Sequence, residues 1–237
     1  CEKDIPTRMP YDNELNWTPG AAYAHITSNE TISGAQWKNM PKTEAPLIAD
    51  MSSDILSRPF DVSNFAMIYA GAQKNLGPAG MAVVVIRKDL AEKGAKALPT
   101  MLKYSTFVEK DSLYNTPPCY SIYMFMLMTR WLKKFGLENM YKQNVEKAAK
   151  LYAAIDASDF YRGTAAKEFR SDMNVTFRLP TEELEARFCE EASKVGLSSL
   201  KGHRSVGGIR ASIYNAFPVE GVDALVDFMR DFEKRLG

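Results

Sequence analysis

Ala70-Gly71-Ala72-Gln73-Lys74-Asn75-Leu76-Gly77-Pro78-Ala79-Gly80 joins two apolar runs, Phe65 to Ala70 and Ala82 to Ile86. Runs this short and this continuously apolar suit strands buried on both faces, as in the sheet of an α/β protein. Val83-Val84-Val85-Ile86 is the clearest of them, β-branched throughout. Upstream, Tyr23 to Thr27 and Pro46 to Ala49 have the same character, so the first half predicts a mostly parallel sheet. The second half reads as helical. Tyr120 to Phe135 is a Met- and aromatic-rich amphipathic segment that follows Pro117-Pro118 and stops at Gly136. Glu138 to Ile155 repeats apolar residues at helical spacing, and Val222 to Leu236 closes the chain in the same way. Thr181 to Val195 has a Thr N-cap, acids in its first turn and Gly196 just past its end. Met173 to Leu179 and Ile209 to Ile213 read as strands. The expected organisation is an α/β part over 1–136, followed by a smaller α+β part over 137–237.

Composition bounds what such a chain can do. Its 237 residues are ample for a hydrophobic core. Thirty Lys+Arg stand against 29 Asp+Glu, a formal net charge of +1 with no basic block, which argues against a nucleic-acid binder. The longest apolar run, Ile122 to Met128, is too short to cross a bilayer. Cys1, Cys119 and Cys189 form neither a metal-spaced pair nor a disulfide framework, which suits a reducing, cytoplasmic setting. The first residue is Cys1, in a polar stretch without a signal-peptide pattern, which reads as an interior start.

The chemistry centres on Lys74. Its loop lacks the Gly-Lys-Ser/Thr of a phosphate loop and leads into a strand, not the helix a dinucleotide fingerprint requires. A lysine in an apolar, partly dry setting loses some preference for its charged form. Lowering its pKa to about 7 takes roughly 4 kcal/mol of differential interaction, and such an amine attacks carbonyls. Taken alone, a lysine in a Gly/Pro turn is more often simply solvated. Asp50 makes the chemical reading competitive. It ends the run Pro46-Leu47-Ile48-Ala49, at the carboxyl end of a strand where ligands of open α/β sheets collect. A carboxylate there can pair with the protonated ring nitrogen of pyridoxal phosphate, although an Asp taken alone is more often a turn acid or helix N-cap.

A second constellation is Leu200-Lys201-Gly202-His203-Arg204-Ser205-Val206-Gly207-Gly208-Ile209-Arg210-Ala211-Ser212, with four basic residues and no acid. It reads equally as a solvated basic hairpin or as a loop built for carboxylate and phosphate oxygens. Neither His203 nor His25 has partners at metal-ligand spacing, so no metal site is expected.

These stretches, with Ser28 to Gly34, Ala49 to Ser53 and Tyr114-Asn115-Thr116-Pro117-Pro118, occur in an order and spacing that resemble the phosphoserine aminotransferase family, a class-V, fold-type-I group of pyridoxal-phosphate enzymes. The resemblance implies a large α/β domain with a small C-terminal domain. It implies that Lys74 carries pyridoxal 5′-phosphate and moves the reacting proton, and that Asp50 pairs with the ring nitrogen. Thr31 then lies by the ring hydroxyl and Gln73 by the cofactor phosphate. Asn115 and Thr116 reach the cofactor phosphate of a neighbouring subunit, which implies a homodimer. Arg210 clamps the substrate carboxylate, while His203 and Arg204 contact the substrate phosphate across the interface. The implied reaction moves the amino group of glutamate to 3-phosphohydroxypyruvate in serine biosynthesis, with a related step in vitamin B6 (pyridoxine) synthesis. In the family, a stretch upstream of Cys1 grips the cofactor phosphate and stacks on its ring. The expectation is therefore a C-terminal portion of a longer chain that binds the cofactor weakly by itself, the alternative being a cofactor-free folding or interaction unit. A desulfurase using the same lysine is disfavoured, because Cys119 and Cys189 fall on helical segments. The apolar helix Tyr120 to Phe135 is expected to serve core or dimer packing.

Overall fold

The structure, a computed structural model, describes residues 6–94 and 97–237; Cys1 lies outside them. Strands β1 (Ala24–Thr27), β4 (Leu47–Asp50), β5 (Met67–Gly71) and β6 (Ala82–Ile86) form one sheet in the order β1-β4-β5-β6. The short strands β2 (Asn29–Glu30) and β3 (Ala35–Gln36) make a hairpin beside it. The first three strands of the sheet are parallel, with Thr27, Asp50 and Tyr69 side by side at their carboxyl ends. Small side chains let this layer pack closely. Ala49, Ala70 and Ala72 are buried with Ile26, Leu47, Ile68 and Leu76 in one apolar cluster.

The sheet departs from expectation at β6. This strand runs antiparallel to β5, and Val84 and Val85 are 39% and 46% exposed. Among the described residues β6 pairs with β5 alone.

Two short helices follow, α1 (Lys88–Glu92) and α2 (Tyr104–Val108), and then the long pair α3 (Cys119–Phe135) and α4 (Leu137–Asp156). Helix α3 is not part of the core of this chain. It buries only Ser121 and Leu132, while Tyr120, Ile122, Tyr123, Leu127 and Trp131 are exposed.

A second, three-stranded antiparallel sheet is ordered β7 (Arg162–Gly163), β8 (Asn174–Arg178), β9 (Ile209–Ser212). Alternation gives it two unlike faces. Val175, Phe177, Ile209 and Ala211 enter a core with α4, α5 (Glu182–Lys194) and α6 (Val219–Leu236), where Phe188 packs edge-on against Tyr161, Phe177 and Phe232. The opposite face carries Thr176, Arg178 and Arg210. It meets the β2–β3 hairpin, where the Thr176 hydroxyl donates to the Ser33 carbonyl at 2.7 Å. No helix among the described residues is long and apolar enough to cross a membrane.

Helix α5 shows how local chemistry sets the boundaries. The Thr181 side chain accepts from the Leu184 N–H at 3.2 Å, and Gly196, at φ +89°, turns the chain out of the helix. Thr181→Ala is expected to cost about 1 kcal/mol in chemical denaturation, with no change in cofactor binding.

Candidate functional site

Three elements converge on Lys74. The strand-to-strand turn folds back on itself, with the Leu76 and Gly77 N–H groups both donating to the Ala72 carbonyl. Leu76 and Asn75 are buried beneath it, which leaves Lys74 half-buried on top. The turn begins at the carboxyl end of β5 and is tied to the end of β4 by the Gly71 N–H, which donates to the Ser52 hydroxyl at 3.0 Å. Asp50, the last residue of β4, accepts from the Ser52 N–H at 2.8 Å, which fixes one carboxylate oxygen. The third element is β9, which brings Arg210 from the second sheet.

Electrostatics show that these groups sense one another. Burial pushes the Lys74 ammonium below its ordinary pKa; the Asp50 carboxylate opposes this and Arg210 adds to it. Glu30, at the end of β2, is pushed up by burial and by Asp50, with Lys74 opposing. Asp54 is fully buried. It accepts from the Ser28 hydroxyl and from Gln36 Nε2 at 3.0 Å, yet burial still drives its pKa upward. A lysine with a weakened hold on its proton, facing a fixed carboxylate and an arginine, can serve as a nucleophile and as a proton carrier.

Lys74, Asp50 and Arg210 are thus brought together, with Thr31 in the β2–β3 turn next to Glu30. Gln73 is exposed, and its side chain folds over Gly71, where any Cβ would lie 2.6 Å from the Gln73 Oε1. The other four expected residues are not joined to this group by any hydrogen bond or ion pair among the described residues. Asn115 and Thr116 are exposed, and the Asn115 amide donates only to the Thr116 carbonyl. His203 Nδ1 lies 2.7 Å from the Ser205 hydroxyl, and Arg204 is exposed.

The basic stretch is a hairpin closed by Gly202 N–H to the Gly208 carbonyl and Arg210 N–H to the Leu200 carbonyl. Gly202 is required there, since a Cβ would sit 2.0 Å from the Gly207 carbonyl oxygen. The hairpin borders a cleft of about 460 Å³ lined by Arg162, Arg178 and Arg210, the hydroxyls of Thr164 and Thr176, and Gly207. Sequence reasoning found Arg210 but missed Arg162 and Arg178, which face each other across β7 and β8. Arg178 is engaged by the buried Glu185 carboxylate and donates to the Val206 carbonyl at 2.8 Å. The cysteines fit a supporting role. Cys189, half-buried in α5, is pushed up by burial, whereas Cys119 at the start of α3 is exposed.

A half-buried lysine after a strand of a largely parallel sheet, facing a strand-end aspartate, is the arrangement of an aminotransferase of the pyridoxal-phosphate type. The family model for class-V aminotransferases matches residues 10–225, and the chain belongs to that family. Its relatives carry a narrower name. The phosphoserine aminotransferase of Desulfosudis oleivorans is 59% identical over 227 residues, covering 94% of this chain and 63% of its own length. The solved phosphoserine aminotransferase of Bacillus circulans subsp. alkalophilus superposes with a TM-score of 0.94 at 53% identity, over 97% of this chain and 64% of that one. The pyridoxal-phosphate-bound phosphoserine aminotransferase of Trichomonas vaginalis gives 0.91 at 40% identity, over 95% and 64%. The chain therefore spans a little under two thirds of the length of the relatives it matches.

Proposed function

We propose that the protein is a phosphoserine aminotransferase that transfers the amino group of glutamate to 3-phosphohydroxypyruvate, giving phosphoserine and 2-oxoglutarate. The observation that carries this reading is the half-buried Lys74, depressed by burial and set against Asp50 and Arg210. The donor set fits pyridoxal 5′-phosphate: an amine that releases its proton readily, a fixed carboxylate for the ring nitrogen, and Thr31 and Gln73 at the rim for ring hydroxyl and phosphate. When bound, that cofactor supplies an electron sink for the bonds at the substrate Cα.

The protein's own residues do the rest. The Lys74 amine holds the cofactor, and its Nζ carries the proton to and from the substrate Cα. Asp50, pinned by Ser52, would pair with the ring nitrogen of the bound cofactor. Arg210 grips the substrate carboxylate with its guanidinium fork. The arginine-lined cleft, with no acid among its lining residues, suits a substrate with a second anionic group over alanine or aspartate.

Asn115, Thr116, His203 and Arg204 act in the neighbouring subunit of a homodimer in this reading. Their exposure and the exposed apolar face of α3 support that arrangement. The part over 1–136 acts as the cofactor-binding domain and that over 137–237 as the small domain. The setting is the cytoplasm and serine biosynthesis, with the phosphohydroxythreonine step of pyridoxine synthesis as a second substrate reaction.

The test is steady-state transamination by the full-length protein with glutamate and 3-phosphohydroxypyruvate. Arg210→Gln is expected to raise the KM for glutamate about 10- to 100-fold, the scale of one lost charged hydrogen-bonded pair. Absence of turnover by the unmodified protein would remove the reading.

A further inference from the structure

We propose that Tyr69 and His25 are positioning residues for Asp50, a His25–Tyr69–Asp50 relay laid across one face of the first sheet. This inference rests on the reading of Asp50 as the partner of the cofactor ring nitrogen.

The relay follows from strand register. Side chains alternate along a strand, so His25 and Thr27 share a face, as do Ile48 and Asp50, and Met67 and Tyr69. Parallel pairing sets Thr27, Asp50 and Tyr69 in one row and His25, Ile48 and Met67 in the next. Tyr69 is thus the immediate neighbour of Asp50, on the side away from Thr27. His25 reaches diagonally over Ile48, and its Nε2 lies 3.0 Å from the Tyr69 hydroxyl. The two rings stack with centroids 5.9 Å apart and planes at 26°, which restricts both.

Donor counting gives the relay a direction. A tyrosine hydroxyl has one proton, and an ionised carboxylate only accepts. Strand register sets Tyr69 beside Asp50, and burial together with the neighbouring carboxylate pushes the Tyr69 phenol upward, so the relay assigns the Tyr69 proton to the Asp50 side. His25 must then donate from Nε2 to the Tyr69 oxygen, and each bond polarises the next toward the carboxylate. Asp50 is held by the Ser52 N–H at one oxygen, with Tyr69 next to it in register. Because His25 is exposed and Tyr69 only half-buried, the pair contributes little to the core.

The experiment is a double-mutant cycle in the full-length protein, read as the dissociation constant of pyridoxal 5′-phosphate for the apoprotein. Tyr69→Phe is expected to weaken binding roughly tenfold and His25→Gln roughly threefold. In an Asp50→Ala background both effects should vanish, an outcome that loss of packing alone does not produce. If either factor persists unchanged without Asp50, or neither appears with it, the relay is overturned while the role of Asp50 stands. If Asp50→Ala leaves cofactor affinity unaltered, the ring-nitrogen reading falls and takes the relay with it.

Discussion

Lys74→Ala is expected to lower transamination by about 10⁴-fold or more while leaving the fold intact. The size of the loss follows from the double duty of the amine, which anchors the cofactor and carries the reacting proton at Nζ. No neighbour can take over. The Arg210 guanidinium stays protonated in proteins, and Asp50 is committed to Ser52 and the ring nitrogen. Stability should change little or rise slightly, because burial disfavours the Lys74 charge and Asp50 offsets it only in part. Lys74→Arg separates charge from chemistry. It keeps the positive charge beside Asp50 but supplies a guanidinium that is a poor nucleophile, so it should be as inactive as the alanine variant. Two measurements check this: single-turnover absorbance with glutamate, and borohydride reduction followed by mass spectrometry of the Lys74 peptide. Label on that peptide in the parent protein and on no peptide in either variant is the expected result. Undiminished turnover by Lys74→Ala would sink the assignment of the lysine.

Much of this site was legible in the sequence because its key residues are isolated charges at the ends of apolar runs. Lys74 and Asp50 stand out in that way. Their closeness follows from the parallel pairing of β4 and β5, which places Asp50 beside Tyr69, five residues before Lys74. Helix α5 was legible because its cap, its acidic first turn and its terminal glycine all agree. The direction of β6 was not read from its residues, since β-branched side chains suit either direction. The connection held the missing signal. A parallel return needs a crossover of about a dozen residues or more, whereas the chain from Gly71 to Ala82 is shorter and compactly turned. The short elements α1, α2, β2, β3 and β7 bury too few side chains to leave a periodic pattern. Arg162 and Arg178 were missed for another reason. They meet by the antiparallel register of two consecutive strands, one of them only two residues long, which local spacing does not encode.

Lys147 was also beyond sequence reasoning, and it carries the second large effect. On α4 it lies between Glu146 and Ala148, three residues before Lys150, and it reads as one more solvated lysine. In the fold it is 0% exposed. Its ammonium donates to the carbonyls of Ile213 at 3.0 Å, Tyr214 at 2.7 Å and Phe217 at 3.1 Å, with Asn215 at 3.5 Å. The same segment holds Asn215, whose backbone N–H donates to the Asn75 side chain at 3.1 Å and whose amide donates to the Leu56 carbonyl. Lys147 thus closes a buried polar tie between the second sheet and the residue next to Lys74. Lys147→Ala should cost about 3–5 kcal/mol, the sum of a cavity and of buried carbonyls left unpaired. Lys147→Met keeps the stem and fills the space, so it should lose less, about 2–3 kcal/mol, from the orphaned carbonyls alone. Burial pushes Lys147 down from 10.5 to about 8, and this fixes the sign of the pH dependence. Between those values the unfolded chain holds the proton that the folded chain has released. Stability should therefore rise as pH increases from about 8 toward 10.5, by up to about 3 kcal/mol, and be lost again as pH falls through 8. Urea denaturation at pH 7.5 and pH 9.5 reads both effects. The parent should gain stability at the higher pH by more than Lys147→Met does, and equal slopes in the two proteins would show that Lys147 is not the group that titrates.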